Sequence, residues 1–228
     1  MSQSFSILDF GSWLLVFIFS LTTHEAAHAW AAKRLGDLTA YQGGQVTLDP
    51  IPHIRREPLG MLIIPIASYL SSGWMFGWAS APFNFAWAQR YPRRAAIMAF
   101  AGPAANFCIA AASWFLLKAG LLYGIFQPAR FPRFSELVVA PPGLLHLLAI
   151  LLSIACLLNL LLGIFNLLPL PPLDGSAFPL FFLPTEAAAG YQRFMRAGWL
   201  VLPGIFIAWQ IFPKIWYPIL RAFVSTLS

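Results

Sequence analysis

From Phe10 to Trp30 the chain carries one formal charge, Glu25, and it lies between two imidazoles in the run His24-Glu25-Ala26-Ala27-His28. A carboxylate and two histidines in a stretch able to span lipid are costly, so by default they mark function. The pattern His-Glu-x-x-His on a helix sets two histidines one turn apart on one face, ready to hold one zinc ion. Glu25 stands beside the first of them, within reach of a water on the metal. The competing reading is a structural pair of buried histidines partnered by the carboxylate.

The rest of the chain supports a membrane setting. Of 228 residues, 59% are apolar and 10% are charged, whereas soluble domains carry about 25% charged residues. Apolar runs cover roughly 10–32, 95–117, 144–168 and 197–212, the last continuing toward Val224 past Pro213 and Pro218. At about 1.5 Å per residue the first three can cross a ~30 Å hydrocarbon core. The expected fold is an all-α polytopic membrane protein with about four spanning helices, forming a single membrane-embedded domain over 1–228. Met1 to Phe10 contain no Lys or Arg, so no cleavable secretory signal is expected. The net charge of +6 reads as membrane topology, and no nucleic-acid partner is expected. Cys108 and Cys156 fall in predicted spans and read as packing residues, with no disulfide framework. No internal repeat weighs toward a transporter built from two halves.

Basic residues set the expected orientation. Lys33, Arg34, Arg55, Arg56, Arg90, Arg93, Arg94, Arg193 and Arg196 would all be cytosolic by the positive-inside rule. The apolar segment from Gly60 to Ala79 would then enter and leave on one side. Pro65 and the break at Ser71-Ser72-Gly73 permit such a re-entrant element. The alternative is an ordinary span that places Arg90, Arg93 and Arg94 outside.

A catalytic zinc site needs a further protein ligand and an open position. Away from the histidine motif, Asp174 is the carboxylate set deepest in apolar sequence, after Asn166-Leu167-Leu168-Pro169-Leu170-Pro171-Pro172-Leu173. Those prolines cannot continue a helix. Unwound backbone at membrane depth is tolerated only where protein or a wet cavity covers it. Asp174 is the candidate third ligand, with a helix-capping role before Gly175 as its rival.

These two motifs together resemble the site-2 protease family of intramembrane zinc metalloproteases, and Ala101-Gly102-Pro103-Ala104-Ala105-Asn106 is similar to the start of that family's intervening helix. Thr47-Leu48-Asp49-Pro50, Gly77-Trp78-Ala79 and Pro92-Arg93-Arg94 resemble a compact subgroup without a PDZ domain. The resemblance implies one Zn2+ held by His24, His28 and Asp174, with Glu25 as general base. It implies a catalytic core over about 10–180 and a C-terminal helical segment over about 197–226. Asn166 matches the family's Asn near the metal, where it would hold the substrate carbonyl or its oxyanion; a structural hydrogen bond is the rival. Asn106 is a possible supporting residue behind the ligands, with helix packing as its rival. Two stretches depart from the subgroup: His53-Ile54-Arg55-Arg56-Glu57 is longer and more basic, and Ser80 stands where Lys is common. His53 reads as interfacial rather than as a fourth ligand.

The implied reaction is hydrolysis of a peptide bond in single-span transmembrane proteins or peptides, nearer the cytosolic side, among membrane lipids. Gly43-Gly44 between the short β-prone runs of Thr39–Leu48 suggests a small β-hairpin beside the active site. Gly43, Gly44 and Val46 would then bind substrate by strand addition; a plain connecting hairpin is the alternative. Two further readings are a non-catalytic metal-binding membrane scaffold and a zinc transporter. Glu25, which metal binding alone does not need, weighs against the first. The second predicts additional His or acidic residues lining other spans, and the sequence offers only His146 and the site already named.

Overall fold

The computed structural model describes residues 6–227. Helix α1 (Ile7–Leu35) starts on Ser6, whose hydroxyl accepts from the Asp9 amide, and stops at Gly36, where φ is 103°. A left-handed backbone suits Gly and ends a helix cleanly. Two short helices follow, α2 (Thr39–Gln42) and α3 (Pro50–Arg56), then a π-helical turn at Leu59–Ile63 that runs into α4 (Ile64–Ser72). Beyond an extended stretch come α5 (Phe85–Arg90) and the long α6 (Pro92–Leu122). A two-stranded antiparallel hairpin, β1 (Gln127–Arg133) with β2 (Glu136–Val139), joins α6 to α7 (Leu144–Asn166). A 3-10 run at Asp174–Phe181, α8 (Thr185–Met195), a 3-10 turn at Gly198–Leu200 and α9 (Val201–Ser225) complete the chain.

Among the described residues, four helical stretches, Ile7–Leu35, Pro92–Leu122, Leu144–Asn166 and Gly198–Ser225, are long and apolar enough to cross a membrane. The protein is an all-α polytopic membrane protein with one small hairpin. Helix α9 runs through Pro213 and Pro218 without ending, which neighbouring protein and local adjustment allow in a membrane helix. Its outer face carries exposed Leu202, Phe206, Trp209 and Tyr217, as a lipid-facing surface should.

Helices α1, α6 and α7 pack against one another and form the core. Trp13, Phe17 and Leu21 of α1 meet Ile154 and Leu158 of α7, with Met61 and Met75 wedged beside them. Near the other end of α1, Ala31 and Ala32 face Ala95 and Ala96 of α6. Small side chains let helix backbones approach closely. That end is tied by Arg94, whose Nη1 donates to the Leu35 carbonyl at 3.1 Å.

The segment from 59 to 79 turns back on itself. The apolar helix Leu59–Ser72 is too short to cross ~30 Å at about 1.5 Å per residue. After Gly73 the chain returns, and the Trp78 amide donates to the Gly60 carbonyl at 3.1 Å. Entry and exit thus lie side by side, as a re-entrant element requires. A Cβ on Gly77 would stand 2.1 Å from the Gly60 carbonyl oxygen, so the two strands of this return meet only because both residues are glycine.

The expected hairpin at Thr39–Leu48 is a correction. Residues 39–42 form α2, and the hairpin of this protein lies at 127–139, beyond the far end of α6. Asp37 decides the local outcome: its Oδ1 accepts from the Thr39 amide at 3.0 Å and from the Thr39 hydroxyl at 2.6 Å. That starts a helical turn whose carbonyls are then taken by the Gly43, Gly44 and Gln45 amides. Gly43, Gly44 and Val46 therefore offer no strand edge to a substrate.

Candidate metal centre

His24 and His28 lie on one face of α1, with ring centroids 4.6 Å apart and planes nearly perpendicular. Their Nε2 atoms are 2.9 Å apart. The break after Asn166 swings the chain so that Asp174 reaches the same point, its Oδ2 lying 3.1 Å from His24 Nε2 and 3.4 Å from His28 Nε2. Residues 150 positions apart in sequence thus present two imidazole nitrogens and one carboxylate oxygen to a common centre. A four-coordinate ion with bonds of about 2.0–2.1 Å has ligand atoms about 3.3 Å from one another. The observed triangle has that scale.

A glycine stands against the two rings. Gly102 of α6 faces the two rings, and a Cβ there would lie 2.3 Å from His28 Nε2 and 2.6 Å from His24 Nε2. The missing side chain keeps the space beside both nitrogens open. His28 Nδ1 is 2.8 Å from the Met98 carbonyl oxygen. A carbonyl only accepts, so Nδ1 carries a proton and Nε2 is the ring nitrogen turned to the cluster. His24 Nδ1 is 2.5 Å from Asn106 Oδ1. The donor set, its spacing and the cleared space fit a divalent metal ion.

Glu25 is 5% exposed, and its carboxylate lies within 4.8 Å of the histidine ring nitrogens. Asp174 comes closer to both Nε2 atoms and keeps 21% side-chain exposure. One carboxylate thus touches the nitrogens while the other stands off beside them. Burial alone would raise the Asp174 carboxyl, but the facing His28 and His24 outweigh it and hold the group well below the usual carboxylate range.

The other expected residues divide. Asn106 is fully buried and touches His24. Asn166 ends α7, and one of its amide hydrogens goes to the Leu162 carbonyl at 3.0 Å, leaving the second uncommitted in that bond. His53 is buried in α3 with Nε2 3.1 Å from the Thr47 carbonyl oxygen, apart from the cluster. The two departures from the subgroup pattern meet each other. Arg56 Nε donates to the Ser80 carbonyl at 3.0 Å, and the Ser80 hydroxyl donates to Glu57 Oε1 at 2.5 Å. Gly102 entered the sequence reading only within the stretch 101–106, without a role of its own, and the Met98 carbonyl did not enter it. A helical glycine has no chemistry of its own, and a backbone carbonyl leaves no residue-type signal.

The model of peptidase family M50 matches residues 12–202, a span that holds both histidines, Glu25 and Asp174. The chain belongs to peptidase family M50. It is 34% identical over 196 residues to the Bacillus subtilis (strain 168) protein named "Putative zinc metalloprotease YwhC", covering 85% of this chain and 79% of that one. It is 31% identical over 169 residues to "Putative zinc metalloprotease Rip2" of Mycolicibacterium smegmatis (strain ATCC 700084 / mc(2)155), covering 74% of this chain and 54% of that relative's length. No solved structure matches the chain. This M50 member is thus a peptidase-family protein of the membrane, with its candidate site formed by α1, α6 and the 3-10 run that begins at Asp174.

Proposed function

We propose that this protein is an intramembrane zinc endopeptidase that hydrolyses a peptide bond of single-span transmembrane proteins or peptides, within or near the membrane. The observation that carries the reading is the convergence of His24 Nε2, His28 Nε2 and Asp174 Oδ2 on one point, with Glu25 beside them, in the buried core of a polytopic membrane protein. In this reading His24, His28 and Asp174 hold one zinc ion. The relatives' printed names, both zinc metalloproteases, support that choice of metal. Bound zinc supplies Lewis acidity, which makes water acidic near neutral pH and polarises a carbonyl.

The chain's own residues do the rest. Glu25 accepts a proton from the attacking water and returns it to the leaving amine, so that the reaction releases one carboxylate and one amine terminus. Asn166 offers its second amide hydrogen to the carbonyl oxygen as charge builds there. Asp174 is the most exposed member of the cluster, which makes its side the route for water. Lys33, Arg34 and Arg94 cluster at the end of the core nearest the site. The positive-inside rule makes that end cytosolic.

The test is purified protein in proteoliposomes with single-span membrane proteins of varied sequence, with products mapped by mass spectrometry. Cleavage inside or beside the spanning segment, stopped by a zinc chelator and restored by zinc, is expected. Zinc uptake into the vesicles with no cleavage of any substrate would overturn the reading in favour of transport.

A further inference from the structure

His24 is held by a chain of hydrogen bonds that begins and ends on α1. Asn159 of α7 donates with Nδ2 to the Ala155 carbonyl at 2.8 Å and to Ser20 Oγ at 2.8 Å. Ser20 is free to accept because its own hydroxyl donates to the Val16 carbonyl at 2.7 Å. Asn159 Oδ1 then accepts from Asn106 Nδ2 at 2.7 Å, and Asn106 Oδ1 faces His24 Nδ1. Ser20, Asn159 and Asn106 are each 0% exposed, so water cannot substitute for any partner.

The direction of every bond follows from one group that cannot reverse. The Ala155 carbonyl only accepts, so the Asn159 atom beside it is the amide nitrogen. That puts Asn159 Oδ1 toward α6. An oxygen there requires a donor, so Asn106 turns its amide nitrogen to Asn159 and its oxygen to His24. An amide oxygen cannot donate, so His24 Nδ1 carries the proton. The remaining ring nitrogen, Nε2, is the one turned toward Asp174 and His28.

We infer that Asn159, acting through Asn106, is a positioning residue that fixes His24 in the Nδ1–H tautomer and so presets Nε2 for the metal. The inference rests on the zinc-site reading above and extends it to a residue two hydrogen bonds behind the ligand. Asn106 alone could not set the tautomer. A free amide can turn over and present its nitrogen to Nδ1, which would push the proton to Nε2 and remove the ligand. Asn159 blocks that flip by offering only an acceptor. Ser20 and the Ala155 carbonyl in turn hold Asn159.

The test combines zinc affinity, measured by chelator competition, with the protonation of Nδ1 in metal-free protein carrying 15N-labelled histidine. The chain has four histidines, so the spectrum is assignable by single replacements. In the unsubstituted protein a proton on His24 Nδ1 is expected. Its absence would overturn the inference whatever the variants do. Asn159→Leu should weaken zinc binding about 10–100-fold, the usual range for groups that orient a ligand, and should move proton density from Nδ1 of His24 while leaving Nδ1 of His28 protonated. Unchanged affinity in that variant would also overturn it.

The double variant Asn106→Asp with Asn159→Leu separates positioning from packing. A carboxylate at 106 can only accept, so the tautomer no longer depends on residue 159. Affinity should return to within a few-fold of the starting value. A double variant as weak as Asn159→Leu, with its helical content intact, would show that Asn159 only packs. If the unsubstituted protein binds no zinc, the site reading fails, and the Nδ1 signal still reports on the relay.

Discussion

Gly102 on α6 lies so close to His28 on α1 that a β-carbon there would stand 2.3 Å from His28 Nε2. The same atom would stand 2.6 Å from His24 Nε2. A methyl group on the facing helix would therefore occupy the position beside both nitrogens where the proposed metal would sit. Gly102→Ala should lose most of the bound metal. Helix propensity by itself favours Ala over Gly by about 1 kcal/mol, so a weakened helix cannot be the cause. Metal content and circular dichroism on one preparation check this; full metal occupancy in a folded Ala variant would contradict it.

Glu25→Gln should keep the metal and abolish cleavage. The amide matches the carboxylate in size and leaves the triangle of His24, His28 and Asp174 untouched. It cannot take a proton from water. Proton transfer by a positioned side chain contributes about 10²–10⁴-fold to rate, so activity should fall by at least that range. Zinc analysis beside a cleavage assay decides the matter. Loss of metal together with activity would make Glu25 a ligand.

Asp174→Asn should cost metal affinity, by at least the 10–100-fold expected for loss of a mere supporting group. Its Oδ2 is the one carboxylate oxygen in contact with both Nε2 atoms among the described residues. Chelator competition measures the change. Unchanged affinity would leave the third position to Glu25, whose oxygen also lies within 4.8 Å.

What the sequence disclosed follows residue chemistry. Histidines and carboxylates are out of place in apolar runs, so His24, Glu25, His28 and Asp174 announced themselves, and the prolines after Leu168 marked where α7 must stop. The return of the 59–79 segment was legible from Pro65 and from Ser71-Ser72-Gly73. Three features were hidden for physical reasons. Gly102 matters through the atoms it lacks. Asn159 sits among leucines, where its role depends on the Asn106 amide, the Ser20 hydroxyl and the Ala155 carbonyl, brought together by three helices. The hairpin was misplaced because Gly43-Gly44 looks like a turn between strands. The Asp37 carboxylate starts a helical turn there, and the strands form instead at Gln127–Val139, around Pro128 and Pro132.

Substrates should be cut where their own helix is weak. In a spanning helix each carbonyl is bonded to the amide four residues on, and it must leave that bond before it can meet the site between α1, α6 and the 3-10 run that begins at Asp174. Gly in a helix costs about 1 kcal/mol relative to Ala, and Pro about 3. If unwinding limits the rate, a Gly beside the cut should raise it by about fivefold over Ala, since 1.4 kcal/mol is a factor of ten. Pro one turn away should raise it further, because it removes a helix donor as well. A series of single-span substrates differing only at these positions, assayed in the same vesicles, gives the rates directly. The Gly43-Gly44 turn should not matter in that series: Thr39–Gln42 is helical and 43–48 is turn and bend rather than strand, so Val46→Pro should leave the rate order unchanged. Equal rates for helix-breaking and helix-favouring substrates would show that a step other than unwinding is limiting.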